Sequence, residues 1–146
     1  MEPSGTKYLV RLPVSGGTER VAVPAAGVSE AQLAALLQTD VTERMRLPVM
    51  PREFAGRFAV CYFIDGRGGE KQLPVNFAGT CFYHTGCPIY GDLLLAACEE
   101  NSESKAVSGF SAADCGTLTA WLSEQFPAFL LQRRPHQLLR HKVLCN

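Results

Sequence analysis

Residues 58–64 read FAVCYFI, and this run constrains the fold more than any other stretch of the chain. Phe58, Val60, Tyr62 and Ile64 alternate with Ala59, Cys61 and Phe63, so neither set supplies a polar face. A strand that is apolar on both sides must be covered on both sides, which places it at the centre of a sheet. Two further apolar segments, Ala78 to Tyr83 and Ile89 to Ala97, follow it. Asp65-Gly66 and Thr85-Gly86 punctuate the stretch as turns, so residues 57–97 read as a small sheet around which the chain is built.

The segments before this centre supply partners for it. Tyr8 to Leu12 and Val21 to Pro24 flank Ser15-Gly16-Gly17, the pattern of an N-terminal hairpin over residues 7–24. Pro13 and Pro24 lack ladder donors and belong at strand ends or on an edge. In SEAQLAALLQ the period changes: Ser29 caps a helix whose broad apolar side carries Leu33, Ala34, Leu36 and Leu37. A helix of roughly three turns is marginal alone, so that side must lie on the sheet. VTERMRLPV then alternates in part, with Val41, Glu43, Met45 and Leu47 on one face and Thr42, Arg44 and Arg46 on the other. Pro48 and Pro51 make the following residues a connection.

Beyond the centre, Asp65-Gly66-Arg67-Gly68-Gly69 reads as a hairpin reversal. A phosphate-gripping loop would need a helix start directly after it, and the extended Leu73-Pro74 text supplies none. Gly91 marks a bulge or a close backbone approach, and Leu93 to Ala97 is a buried strand. Glu99 to Ser104 is a polar, acidic loop. Ser111 caps a second helix on which Leu118, Trp121, Leu122 and Phe126 recur at helical spacing. A basic tail or short helix at 128–146 ends the chain, with no acidic residue after Phe126.

Length and charge bound the function classes. A chain of 146 residues suits one domain over residues 1–146 and removes roughly two thirds of its unfolded surface from water. Lys and Arg number 14 against 14 Asp and Glu, so no overall field draws the protein to nucleic acid or an anionic membrane. The chain shows neither a long apolar span nor the order of a signal peptide, and the expectation is a cytoplasmic protein with no membrane partner. In that setting its six cysteines read mainly as buried thiols.

Three constellations carry chemistry. Cys81, His84 and Cys87 have the residue types and two-residue gaps of a zinc turn, but no paired knuckle supplies the fourth ligand. The reading taken is that they are small apolar groups and a surface imidazole, with no metal and no cofactor. Cys81 or Cys61 with His84 and Asp92 has the types for a thiol nucleophile, base and orienting group, without any spacing that assembles them. Arg133, Arg134, Arg140 and Lys142 in the tail, helped by Arg44 and Arg46, have the charge for phosphate contacts or for a protein contact. The leucines of the same tail can instead pack on the domain or on a second copy.

The helix over Glu30 to Gln38, the central strand, the Asp-Gly turn, Leu73-Pro74-x-Asn76, Ala78-x-Thr80 and Ile89-Tyr90-Gly91-Asp92 together resemble the "domain of unknown function 3846" proteins of phages, plasmids and other mobile elements. The resemblance spans about residues 29–97, and LPVN and IYGD are its most specific words. It implies no catalytic residues. It implies a setting: an accessory protein of a mobile element that acts on host machinery or a host defence.

These readings converge on an α+β fold with a small antiparallel or mixed sheet of about five or six strands and two principal helices, both placed on one side of it. The leading function is non-enzymatic interaction with a host protein or a second copy, a homodimer included. Nucleic-acid or small-nucleotide binding comes second, and a cysteine- or metal-dependent enzyme third. Asn76, Tyr90 and Asp92 are the candidate contact residues, or else a framework for the turn; Arg133, Arg134 and Arg140 join them as binding candidates.

Overall fold

The computed structural model describes residues 6–47, 49–76, 88–99 and 106–125, and in it all seven residues of the strand Ala59–Asp65 are buried. The elements are β1 (Thr6–Leu12), β2 (Glu19–Pro24), α1 (Glu30–Leu37), β3 (Thr42–Arg46), a 3-10 turn (Arg52–Phe54), β4 (Ala59–Asp65), β5 (Leu93–Cys98), β6 (Val107–Ser108) and α2 (Ala112–Gln125). The strands form one sheet in the order β2-β1-β5-β4-β3, with β6 paired to β5 off that path. Every paired strand is antiparallel to its neighbour. The fold is α+β, as the apolar centre of the sequence requires.

Strand β5 is buried along its whole length and, with β4, forms the spine of the sheet. Its far side is shared. Leu93 and Leu95 face β1, whereas Ala97 and Cys98 pair with β6. Beyond Val10, β1 parts from β5 and meets Phe110 instead, the Tyr8 N–H and C=O both bonding to that residue at 2.8 and 2.7 Å.

The two helices lie on opposite faces, which corrects their expected placement on one side. Leu33 and Leu37 of α1 pack with Leu9, Ala59, Cys61, Phe63, Leu94 and Ala96. Cys115, Leu118 and Leu122 of α2 pack with Val10, Leu12, Val60, Tyr62, Leu93 and Leu95. The two lists alternate along β4 and β5, as side chains of a strand must. A sheet whose centre is apolar on both sides needs a cover on each, and a single helix serves on either face.

Local chemistry sets the helix starts. Ser29 and Gln32 form a reciprocal capping box at α1, and Gln38 ends the helix in the left-handed region at φ 55°. Ser111 Oγ accepts from the Asp114 N–H at 3.1 Å to start α2.

The reversal after β4 is not a hairpin. Both sides of β4 are occupied, by β3 and β5, so the chain leaving it has no ladder to join. Residues 65–73 instead coil through successive turns, with Gly68 N–H to Asp65 C=O at 3.1 Å and Leu73 N–H to Gly68 C=O at 3.0 Å. The segment then makes one isolated bridge, Val75 with Tyr90.

Candidate functional site

Asn76, Tyr90 and Asp92 come together where the chain enters β5. Asn76 is fully buried. Its backbone N–H donates to the Ile89 carbonyl at 2.7 Å, and its side-chain amide donates to the carbonyls of Leu12 at 2.7 Å and Gly91 at 3.0 Å. Tyr90 pairs with Val75 and lies against Gly68, where an added Cβ would come within 2.9 Å of the Tyr90 carbonyl oxygen. Asp92 Oδ1 accepts the Val14 N–H at 3.0 Å, and its other oxygen lies 3.9 Å from Arg11 Nε. Each of these contacts is to the chain itself, and their joint effect is to fix the end of β1 to the start of β5. Gly91, between them, has φ 84°, a conformation that favours glycine.

A cavity of about 380 Å³ opens beside this joint, lined in part by Arg11, Gln38, Asp65, Lys71 and Asp92. Each cation there faces a carboxylate: Lys71 Nζ is 2.7 Å from Asp65, and Arg11 is paired loosely with Asp92. The cavity therefore offers no surplus positive charge to a phosphate. Asp65 also accepts from Thr39 Oγ1 at 2.7 Å and from the Arg67 N–H at 2.8 Å. Burial works against its charge, but the hydrogen bonds from Lys71, Thr39 and the Arg67 backbone outweigh burial and hold the carboxyl below its ordinary range.

The sheet ends in two edge strands, β2 and β3, and the exposed large apolar groups gather at β3. In the pairing with β4, the Val41 carbonyl accepts from Gly66 and the Leu47 N–H donates to Val60. The alternation of an antiparallel ladder then turns the backbone groups of Thr42, Arg44 and Arg46 away from β4, toward the outer edge. Val41 is 45% exposed, Met45 42% and Val49 56%, and these are the exposed large hydrophobic residues among the described ones. All three fall on or beside β3. Its alternation expected a shared face for Val41, Glu43, Met45 and Leu47, and Leu47 is the one of these that is buried.

On the α1 face of the same edge stands a group that the residue list alone did not assemble. Cys61 and Cys98 lie diagonally on adjacent strands, since Cys61 pairs with Ala96 and Cys98 with Ala59. Arg44 reaches over the ring of Phe63 and donates to Cys61 Sγ at 3.6 Å. Arg46 donates to the carbonyl of Glu99, the residue after Cys98, at 3.1 Å. A hydrogen bond from Cys61 and the charges of Arg44 and Arg46 bring the Cys98 thiol down to about 6, against the effect of burial. The Cys61 thiol is pushed up by that same hydrogen bond and by burial. Sequence separation hid this group: its members meet only through the β3-β4-β5 register.

The remaining candidates, Cys81, His84, Cys87, Arg133, Arg134 and Arg140, lie outside the described residues, as do the apolar segment 78–83 and the tail. Among the described residues, no three His, Cys, Asp or Glu side chains cluster in a way that could hold a metal ion. No helix among them is long and apolar enough to cross a membrane. Comparisons with protein-family models, with curated proteins and with solved structures give no match.

Proposed function

We propose that this protein is a non-enzymatic interaction protein that receives an extended segment of a partner protein along the free edge of β3. One observation carries the reading: Val41, Met45 and Val49 are exposed on or beside β3, an edge strand on which the backbone groups of Thr42 and Arg44 face outward from the sheet. Such an edge is a template for an added strand, which gains backbone hydrogen bonds along the ladder and side-chain contacts on either face. An incoming strand would meet Met45 and Glu43 on one face and Arg44 and Arg46 on the other. Its complement is apolar on the first face and acidic on the second.

A second copy of the chain is a poorer occupant. A two-fold axis normal to a continuous antiparallel sheet pairs residues of one parity, so a centre at Arg44 sets Arg44 against itself. A centre at Glu43 opposes two carboxylates and a centre at Met45 opposes Arg44 and Arg46; a centre at Thr42 avoids like charges but joins only the first residues of the strand, Val41 to Glu43. Like charges placed directly across a ladder are destabilising. The mobile-element setting implied by the resemblance of residues 29–97 makes the partner a host protein.

The test is capture from a bacterial lysate with the parent chain and with a Val41→Lys, Met45→Lys variant, followed by hydrogen exchange on the purified complex. The expected result is a partner held by the parent alone, with the amides of Thr42 and Arg44 exchanging rapidly in the free protein and slowly in the complex. Retention of that partner by the variant, or protection confined to another surface, removes the β3 reading.

A further inference from the structure

We infer that the added strand carries an aromatic side chain two residues after an acidic one, and that the aromatic group enters a groove between α1 and β3 beside Thr42. The inference rests on the β3-edge reading and names the sequence that this edge prefers. Three arrangements carry it.

The first is space. Helix α1 packs on residues of β1, β4 and β5. Between it and β3 lies a cavity of about 480 Å³, walled by Glu30 and Leu33 of the helix, Thr42 and Arg44 of the strand, and the apolar Val28 and Phe63. That size suits one compact organic group. Side chains paired across a ladder share a face, so guest residues opposite Thr42 and Arg44 stand on the side of the sheet where the groove lies. The second is charge. Arg44 extends over Phe63, its guanidinium carbon 5.9 Å from the ring centroid, and donates to Cys61 Sγ at 3.6 Å. A ring and a thiol leave its charge unneutralised, and Arg46 on the same face donates to an uncharged carbonyl. A carboxylate across the ladder supplies the opposite charge. The guanidinium is also flat, and aromatic groups stack on it. Of the residues lining the groove, Glu30 is the anion, which keeps the guest carboxylate at Arg44 and leaves the groove to an uncharged ring. The third is position. Arg44 fills its own place on the strand, whereas Thr42 is short and half-buried, so the guest residue facing Thr42 is the one with room to turn inward.

Direction follows from the sheet. Its strands pair antiparallel throughout, and an added strand that continues the pattern passes Arg44 before Thr42. Read from its N-terminus, the guest is therefore acidic, then any residue, then aromatic, the middle residue facing Glu43 on the other side of the sheet. The three parts have separate effects. Backbone bonds along Thr42 and Arg44 admit any extended segment, the carboxylate meets the guanidinium, and the ring fixes the register. A slip of one residue would turn acid and ring together toward Met45 and Glu43. The groove thus discriminates among sequences that the edge alone would accept equally.

The experiment measures, by fluorescence anisotropy, the binding of end-blocked peptides to the folded chain: one containing Glu-Val-Glu-Thr-Phe, one with alanine in place of the phenylalanine, and one with the same residues in reverse order. Hydrogen exchange on each mixture follows the amides of Thr42 and Arg44. The expected result is protection of those amides by the first peptide, with an affinity about tenfold above that of the other two. Thr42→Trp, which fills the groove from the strand side, should shrink the gap between the phenylalanine and alanine peptides to about twofold, and so should Arg44→Lys, which keeps the charge and removes the flat face. Circular dichroism shows whether each variant is folded, and the peptide comparison on the parent chain decides without them. Equal affinity for the phenylalanine and alanine peptides, with Thr42 and Arg44 protected, overturns the groove and leaves the edge reading standing. Equal affinity for the reversed peptide overturns the assigned order. Binding without protection at β3, or no binding by any of the peptides, overturns the groove and the edge together.

Discussion

Lys71 Nζ lies 2.7 Å from the carboxylate of Asp65, and the Asp65 side chain is 2% exposed while that of Lys71 is 37% exposed. The pair closes the coil after β4 onto the end of α1, because Lys71 also donates to the Gln38 carbonyl at 3.1 Å. Asp65→Asn keeps the shape and loses the charge. It should destabilise the protein by about 1–3 kcal/mol at neutral pH, read from urea unfolding.

The same carboxyl gives a pH signature. Its folded value is depressed below an unfolded value of about 3.9. Its stabilising contribution is therefore complete above that value and is lost as pH falls through the folded one. The parent should lose stability more steeply than Asp65→Asn when unfolding is followed downward from pH 5, and parallel curves would count against the assigned hydrogen bonds.

Asn76 donates from one amide to two carbonyls in the core. Asn76→Ala abandons both acceptors, at about 1–3 kcal/mol for each buried group left unsatisfied. Asn76→Asp is more informative. It replaces the donors with an acceptor facing carbonyl oxygens, so its stability should fall as pH rises and the new carboxyl ionises. Thermal unfolding at pH 4 and pH 8 distinguishes the two.

Two glycines should respond with opposite sign. A Cβ on Gly109 would lie 2.8 Å from the Tyr8 backbone nitrogen, where β1 meets Phe110. Gly109→Ala must push that junction apart and should cost about 1–3 kcal/mol. Gly116, within α2, has open space around its added Cβ. Gly116→Ala should stabilise by about 0.5–1 kcal/mol through helix propensity. A pair of melting curves checks both.

Phe54, in the 3-10 turn before β4, is fully buried; its ring lies 4.6 Å from that of Phe58 at a tilt of 45° and stacks on that of Phe110 at 6.0 Å. Phe54→Ala should cost about 3–5 kcal/mol. Phe58, which is only partly buried at the rim of the same core, should cost less. Equal losses would show that the three rings do not pack as described.

The centre of the fold was legible because alternation is a local property. Phe58 to Ile64 has no polar face, and that alone requires a strand covered on both sides. Which helix covers which side was not legible, since Leu33 and Leu118 look alike in a sequence and only the path of the connections separates them. The same holds for the reversal at Gly66 to Gly69. Its glycines suggest a hairpin, but occupancy of both sides of β4 is a long-range fact. Asn76 stands out in LPVN, yet its acceptor at Leu12 is 64 residues away. The Cys61–Cys98 pair depended on register as well, and a shift of one residue would have turned one sulfur to the other face.

Tyr8 is bonded through both its backbone groups to Phe110, and the segment around Val107 and Ser108 completes the ladder that β1 leaves open beside β5. During synthesis, the first strand emerges long before the residue that secures it. Its N-terminal half pairs early with β2, but its other edge waits for Phe110, about a hundred residues later, and the late closure of such distant contacts is slow. The first strand of the sheet is thus secured on its second edge only by a contact made late.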